Sequence, residues 1–266
     1  MFLEDPKIMK SYPTRIRLSI VIVLLLFLSL TSNLQAAKVS SMSPEEIAEK
    51  KKQEIYKQLD RGLDQQEQGK FAEALETFRK ISEKNPETPY SYFHQGLLLA
   101  EIGAMKEALQ KYRQAISKDD NIAEFHLQSG VVLMEMGKTE SAIKHLNKAA
   151  SIDPKIADAY NLLGVGLNLL GKTKQAEEWF HKAIELEKGY VEARINLGRL
   201  LIDEKRYPEA VGVLTDAVKQ DPLASQAQRL LGYALLQTGK LEEARRSFQK
   251  AFESEESLPF EEEAFR

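Results

Sequence analysis

The feature that most constrains this chain is a recurrence at a spacing of 34 residues. The stretch 157–190 reads ADAYNLLGVGLNLLGKTKQAEEWFHKAIELEKGY, and its landmarks return in five other stretches. Gly164 recurs as Gly62, Gly96, Gly130, Gly198 and Gly232. Ala176 recurs as Ala74, Ala108, Ala142, Ala210 and Ala244, and the place of Phe180 is held by Phe78, Tyr112, Leu146, Leu214 and Phe248. Six units follow one another without insertion or deletion: 55–88, 89–122, 123–156, 157–190, 191–224 and 225–258. A period of this size marks an array of supersecondary units. Each unit cannot bury its apolar face alone, so neighbours must stack.

Within a unit the spacing predicts two short antiparallel helices. Gly164 falls in the middle of the first, where glycine costs about 1 kcal/mol relative to alanine. Such a cost is tolerable where two backbones approach closely, and Ala176 is the expected small partner on the second helix. Gly171 lies between the two helices, where a left-handed C-cap would end the first. Five of the six units have glycine at that place; the fifth has Lys205, with Tyr207-Pro208 following. Pro86, Pro154 and Pro222 close three of the units.

These residues resemble the tetratricopeptide repeat, a helix–turn–helix of 34 residues with an aromatic, Leu-Gly, Tyr, Ala, Phe, Pro signature. The resemblance spans residues 55–258 in one phase. The first aromatic place of the signature holds Tyr92 and Tyr160, but Gln58, His126, Arg194 and Gln228 in the other units. The resemblance implies an all-α fold, a right-handed α-solenoid of six helix–turn–helix units. It also implies a non-catalytic scaffold for protein–protein interaction that holds a peptide or protein segment in its concave groove. In this family the first helices line the groove, with places 2, 5, 6, 9, 12 and 13 of each unit pointing into it. Units two and three then contribute Tyr90, Phe93, Leu97, Leu127, Val131 and Met134, an apolar row that calls for a covering partner. Units four to six contribute Asn161, Asn168, Asn196, Arg199, Arg229 and Tyr233. Asparagine can donate to and accept from a peptide backbone, and arginine can take a carboxylate with two parallel hydrogen bonds. The expected ligand is therefore an apolar or aromatic segment with a polar or acidic end. The family's clamp for a C-terminal carboxylate needs a set of Lys, Asn and Arg that no three successive units supply here, so that specificity is not expected.

Composition excludes several chemistries. There is no cysteine, which removes disulfides, thiolate catalysis and cysteine-based zinc sites. The net charge of −3 gives no electrostatic footprint for nucleic acid. His94, His126, His145 and His181 fall at four different places in the frame and form no HExxH pattern, so neither a metal nor another cofactor is expected. His126 sits where other units have tyrosine and is read as a core substitute. Gly164-Val165-Gly166 lacks the strand context of a nucleotide loop, and no nucleophile motif occurs, so neither an enzyme nor a small-molecule substrate is expected. Trp179, the one tryptophan, shares its place with Thr77, Lys111, His145, Val213 and Ser247. It is expected to face outward, as a partner contact or as a partly packed surface residue.

The ends differ from the array. Lys7, Lys10, Arg15 and Arg17 precede an apolar run at 18–30 (LSIVIVLLLFLSL), and Gln35-Ala36-Ala37 follows. That order reads as a secretory signal peptide over residues 1–37, or as an uncleaved anchor over 18–37 if the segment is retained. Either way the repeats are expected outside the cytoplasm, periplasmic or secreted, with a membrane contact only in the anchored case. Residues 38–54 form a linker and the start of an N-terminal helix, opened by the capping pattern Ser43-Pro44-Glu45-Glu46. At the other end Leu241, Phe248 and Phe252 lie where a next helix would pack, before an acidic tail at 259–266 that carries Phe260 and Phe265. Weak self-association at this end is the corresponding expectation. The alternative roles are a structural assembly factor of an envelope or surface machine, resembling pilotins, and a signal-anchored membrane adaptor.

Overall fold

The computed structural model describes residues 42–256, with side chains to residue 254. The leader, the first residues of the linker and the C-terminal tail lie outside the described residues. Contacts divide the chain into two compact parts between Asp64 and Gln65.

The first part holds most of helix α1 (Pro44–Glu67). Its start is a reciprocal capping box. The Ser43 N–H donates to Glu46 Oε2 at 2.8 Å, and the Glu46 N–H donates to Ser43 Oγ at 3.2 Å. Lys50, Lys51 and Lys52 lie exposed along this helix, and the Lys52 ammonium stands 5.9 Å from the centre of the Tyr56 ring.

The second part is a helical-repeat solenoid built from α2 (Phe71–Lys84) and five helix pairs. These are α3 (Pro89–Glu101) with α4 (Met105–Lys118), α5 (Ala123–Glu135) with α6 (Thr139–Ile152), and α7 (Ala157–Leu169) with α8 (Thr173–Leu186). The last two are α9 (Val191–Asp203) with α10 (Tyr207–Gln220), and α11 (Ser225–Gln237) with α12 (Leu241–Glu256). No strand occurs among the described residues. In each of the five pairs the second helix packs on its own first helix, and α2, α4, α6, α8 and α10 pack on the first helix that follows. The first helices also touch one another, α3 with α5, α5 with α7, α7 with α9 and α9 with α11. No two second helices touch to the same extent among the described residues, so the first helices line the inner face.

The turns explain why the period never slips. At Gly171 φ is +72°, the Gly171 N–H bonds the Asn168 carbonyl at 2.9 Å, and the Lys172 N–H bonds the Leu167 carbonyl at 2.9 Å. This is the paired closure of a helix end by a left-handed residue. In the fifth unit Lys205 takes the same conformation at φ 62°, with matching bonds from Lys205 to Ile202 at 2.9 Å and from Arg206 to Leu201 at 2.8 Å. The turn is thus kept although its glycine is lost.

The partner of the mid-helix glycine is different from the one expected. Ala176 is fully buried, but a Cβ placed on Gly164 would lie 2.6 Å from the Phe180 ring. One on Gly130 would lie 2.6 Å from Leu146, and one on Gly198 2.5 Å from Leu214. The glycine makes room for the large side chain four residues beyond the alanine, one turn further along the second helix. Around these contacts the core is continuous. One buried cluster runs from Phe93 to Ala193 and another from Leu167 to Ala244, with Ile143, Trp179 and Ile184 packed against both.

At the far end, Leu241 and Phe252 are 62% and 61% exposed, and Phe248 is half-exposed although its ring also fills the space over Gly232. Phe260 and Phe265 lie outside the described residues.

Candidate functional site

The inner face is the place where the sequence expectations converge, and the structure divides them. Tyr90 is exposed, with its ring edge-on to Phe125 at 5.5 Å. Leu97, Val131 and Met134 are half-buried. Met134 reaches across to α7, where a Cβ on Gly166 would lie 3.6 Å from its sulfur. Arg199, Arg229 and Tyr233 are exposed, and Tyr233 sits edge-on to Tyr207 at 6.4 Å. Asn168 and Asn196 are half-buried.

Three expected contact residues belong instead to the wall. Phe93 is 5% exposed and packs its ring against Phe125 at 4.8 Å and Tyr112 at 5.7 Å. Leu127 is equally buried. Phe125 on the next unit's first helix covers Phe93, a consequence of stacking that no single unit reveals. Asn161 is fully buried, and its amide is engaged internally. Its Oδ1 accepts from Asn196 Nδ2 at 3.0 Å, and its Nδ2 faces the Tyr190 hydroxyl and Glu192 Oε1, each at 3.4 Å. The Tyr190 hydroxyl donates in turn to Asp158. Burial first, then that hydrogen bond and the charges of Asp158 and Glu192, push the Tyr190 hydroxyl well above its ordinary range. This polar knot stiffens the junction of α7 and α9 and leaves Asn161 no amide group to offer a ligand.

The structure adds apolar residues to the row. Val165 and Ile202 are half-buried on the same faces, while Leu169 and Leu236 are 66% and 44% exposed. The apolar surface therefore continues past unit three along α7, α9 and α11. In the sequence this row lies at places 9, 12 and 13 of the later units, interleaved with polar residues.

A second set of paired side chains varies from unit to unit, so the repeat does not mark it in the sequence. In units two to four, place 4 of the first helix meets place 23 of the second, and the pair changes chemistry along the array. In unit two the Lys111 ammonium stands 5.9 Å from the Tyr92 ring centre. In unit three His126 Nδ1 lies 3.2 Å from His145 Nδ1, while His126 Nε2 lies 3.1 Å from the Asp120 carbonyl oxygen, which leaves that nitrogen as the donor. In unit four Tyr160 stacks on Trp179 at 5.3 Å. His126 is thus in the core as expected, but not alone. Trp179, expected to face outward, is half-buried against Tyr160. Burial holds both histidines of unit three below the ordinary imidazole range; at His145 the neighbouring His126 and then Arg113 add to this, and at His126 Lys148 adds to it against the Asp120 carbonyl and carboxylate. No group of three or more His, Cys, Asp or Glu side chains able to hold a metal occurs among the described residues.

Such a face, apolar, half-open and backed by stacked helix pairs, defines a protein-interaction scaffold. Family models for the tetratricopeptide repeat match residues 59–121, 157–190 and 195–257, and one described as TPR repeat matches 130–165. The chain belongs to the tetratricopeptide repeat family. A search of curated proteins found no match to the sequence. Among solved structures, a MamA protein is similar at 27% identity and a TM-score of 0.57, over 64% of this chain and 93% of that one. YrrB, described as a TPR protein with an unusual peptide-binding site, is similar at 25% identity and a TM-score of 0.55, over 68% of this chain and 93% of that one. PilF of Pseudomonas aeruginosa shares the fold at 20% identity and a TM-score of 0.67, over 77% of this chain and 92% of that one.

Proposed function

We propose that this protein is a non-catalytic scaffold, exported from the cytoplasm, that seats a peptide or protein segment on the inner face of its first helices. The observation that carries this reading is the half-open apolar row of Leu97, Val131, Met134 and Val165, continued by the exposed Leu169 and Leu236. Water-facing apolar surface of that continuity is costly unless a partner covers it. The likeness to YrrB, described as a TPR protein with an unusual peptide-binding site, supports a peptide ligand.

The test is crosslinking in the native host, identification of the captured segment, and its titration against the full chain. Tyr90→Ala should weaken binding by about 1–3 kcal/mol if Tyr90 is an anchor. Val131→Glu should weaken it further by setting an uncompensated charge in the contact. Circular dichroism must show both variants folded. Unchanged affinity in both would overturn the inner-face reading. Phe93 is a poor probe, since its loss would cavitate the core. Export rests on the leader pattern at residues 1–37 and is tested by intact mass: a mature chain starting near residue 37 supports cleavage, and a retained segment supports the anchor.

A further inference from the structure

The charges of the inner face are distributed in a way that selects its occupant. Helices α3, α5 and α7 together contain no lysine or arginine, yet carry Glu101, Glu124, Glu135 and Asp158. All four carboxylates are exposed, and none has a Lys or Arg partner among the described residues. They occupy places 2 and 13 of their units. At about 100° per residue, places 2, 9 and 13 fall within roughly 40° of one another on a helix. The acids therefore share a face with Leu97, Val131 and Val165 at place 9, and stand at its two ends. Place 2 and place 13 are about 16 Å apart along the helix axis, at about 1.5 Å per residue. The inner face of units two to four is thus an apolar strip between two acidic rims. Behind the strip the Tyr112 hydroxyl is pushed up, by burial first and then by Glu124 and Glu135.

We propose that units two to four take a basic amphipathic helix, its apolar stripe on Leu97, Val131 and Val165 and its flanking lysines or arginines on the two acidic rims. A helix with side chains is roughly 10–12 Å wide, so its charged flanks reach both rims across the strip. An acidic segment would meet uncompensated carboxylates on both sides. This rests on the inner-face reading and names the chemistry of its ligand.

Two synthetic peptides separate the two claims: an 18-residue amphipathic helix of leucine and lysine, and the same peptide with glutamate in place of lysine, each titrated into the full chain at low and moderate salt. The lysine peptide should bind, lose affinity with salt, and bind at least about tenfold more weakly to Glu124→Lys/Glu135→Lys, while the glutamate peptide does not bind. Both substitutions are at exposed sites, and circular dichroism confirms the fold. Equal binding of the two peptides leaves the inner-face reading standing and overturns the selection of cations. Binding of the lysine peptide that is unchanged by the double substitution overturns the assignment to this face. Failure of both peptides to bind overturns the cationic-helix proposal, while the inner-face reading stands or falls on the captured segment and the Tyr90 and Val131 variants.

Discussion

Tyr112 carries a hydroxyl that is fully buried and makes no hydrogen bond among the described residues. The equivalent place holds Phe78, Phe180 and Phe248, so the ring is what the fold needs there and the oxygen is surplus. Leaving such a group unsatisfied costs about 1–3 kcal/mol. Tyr112→Phe should therefore stabilise the protein by about 1–2 kcal/mol, read as a higher midpoint in urea denaturation with an unchanged slope. Lys205 gives the opposite lesson, since its backbone sits in the left-handed region that costs a residue with a Cβ about 1 kcal/mol or more. Lys205→Gly should raise stability by roughly that amount in the same assay. The place of Lys205 was legible in the sequence because five glycines marked it. The burial of Phe93 was not, because it depends on Phe125 of the following unit.

At the scale of the helix pair, the junction of places 4 and 23 is a variable joint inside an otherwise constant frame. The frame residues were readable because they repeat; the joint was hidden because it varies, although its two halves vary together. Transplanting the pair of unit four into unit three tests this. His126→Tyr and His145→Trp should each destabilise alone. The double variant should recover about 0.5–1.5 kcal/mol of coupling, measured by a denaturation cycle. The same variants carry a pH signature. Burial lowers the folded-state affinity of His126 and His145 for protons, so the unfolded chain binds protons more readily below about pH 6.5. His94 shifts the same way, by burial. Stability should be full above that pH and fall as the solution is acidified through the folded-state values. The double variant should lose the part due to unit three and keep the part due to His94.

In the whole molecule stability is shared between neighbours, so the ends answer differently from the middle. α12 leaves Leu241 and Phe252 largely exposed, whereas α7 and α8 are covered on both sides. Amide hydrogen exchange should be fastest in α12 and slowest in α7 and α8, and equal protection along the array would contradict nearest-neighbour stacking. The inner face was legible as a surface from the family frame alone. Its charge was less so, because the polar residues of units four to six stand out on a reading by residue type, whereas the acidic rims emerge only when places 2 and 13 are seen to share a helix face.

Arg206 grips Glu177 of the preceding unit with two bonds, at 2.7 and 2.9 Å, while also holding Glu204 and Glu209. A period without insertions invites the thought that a unit can be cut out and the chain rejoined. Excising residues 157–190 would bring Ile143 to the position of Glu177 and leave the guanidinium facing an aliphatic side chain. The neighbours of this array are matched to one another as well as to a common pattern, so their order is part of what the sequence encodes.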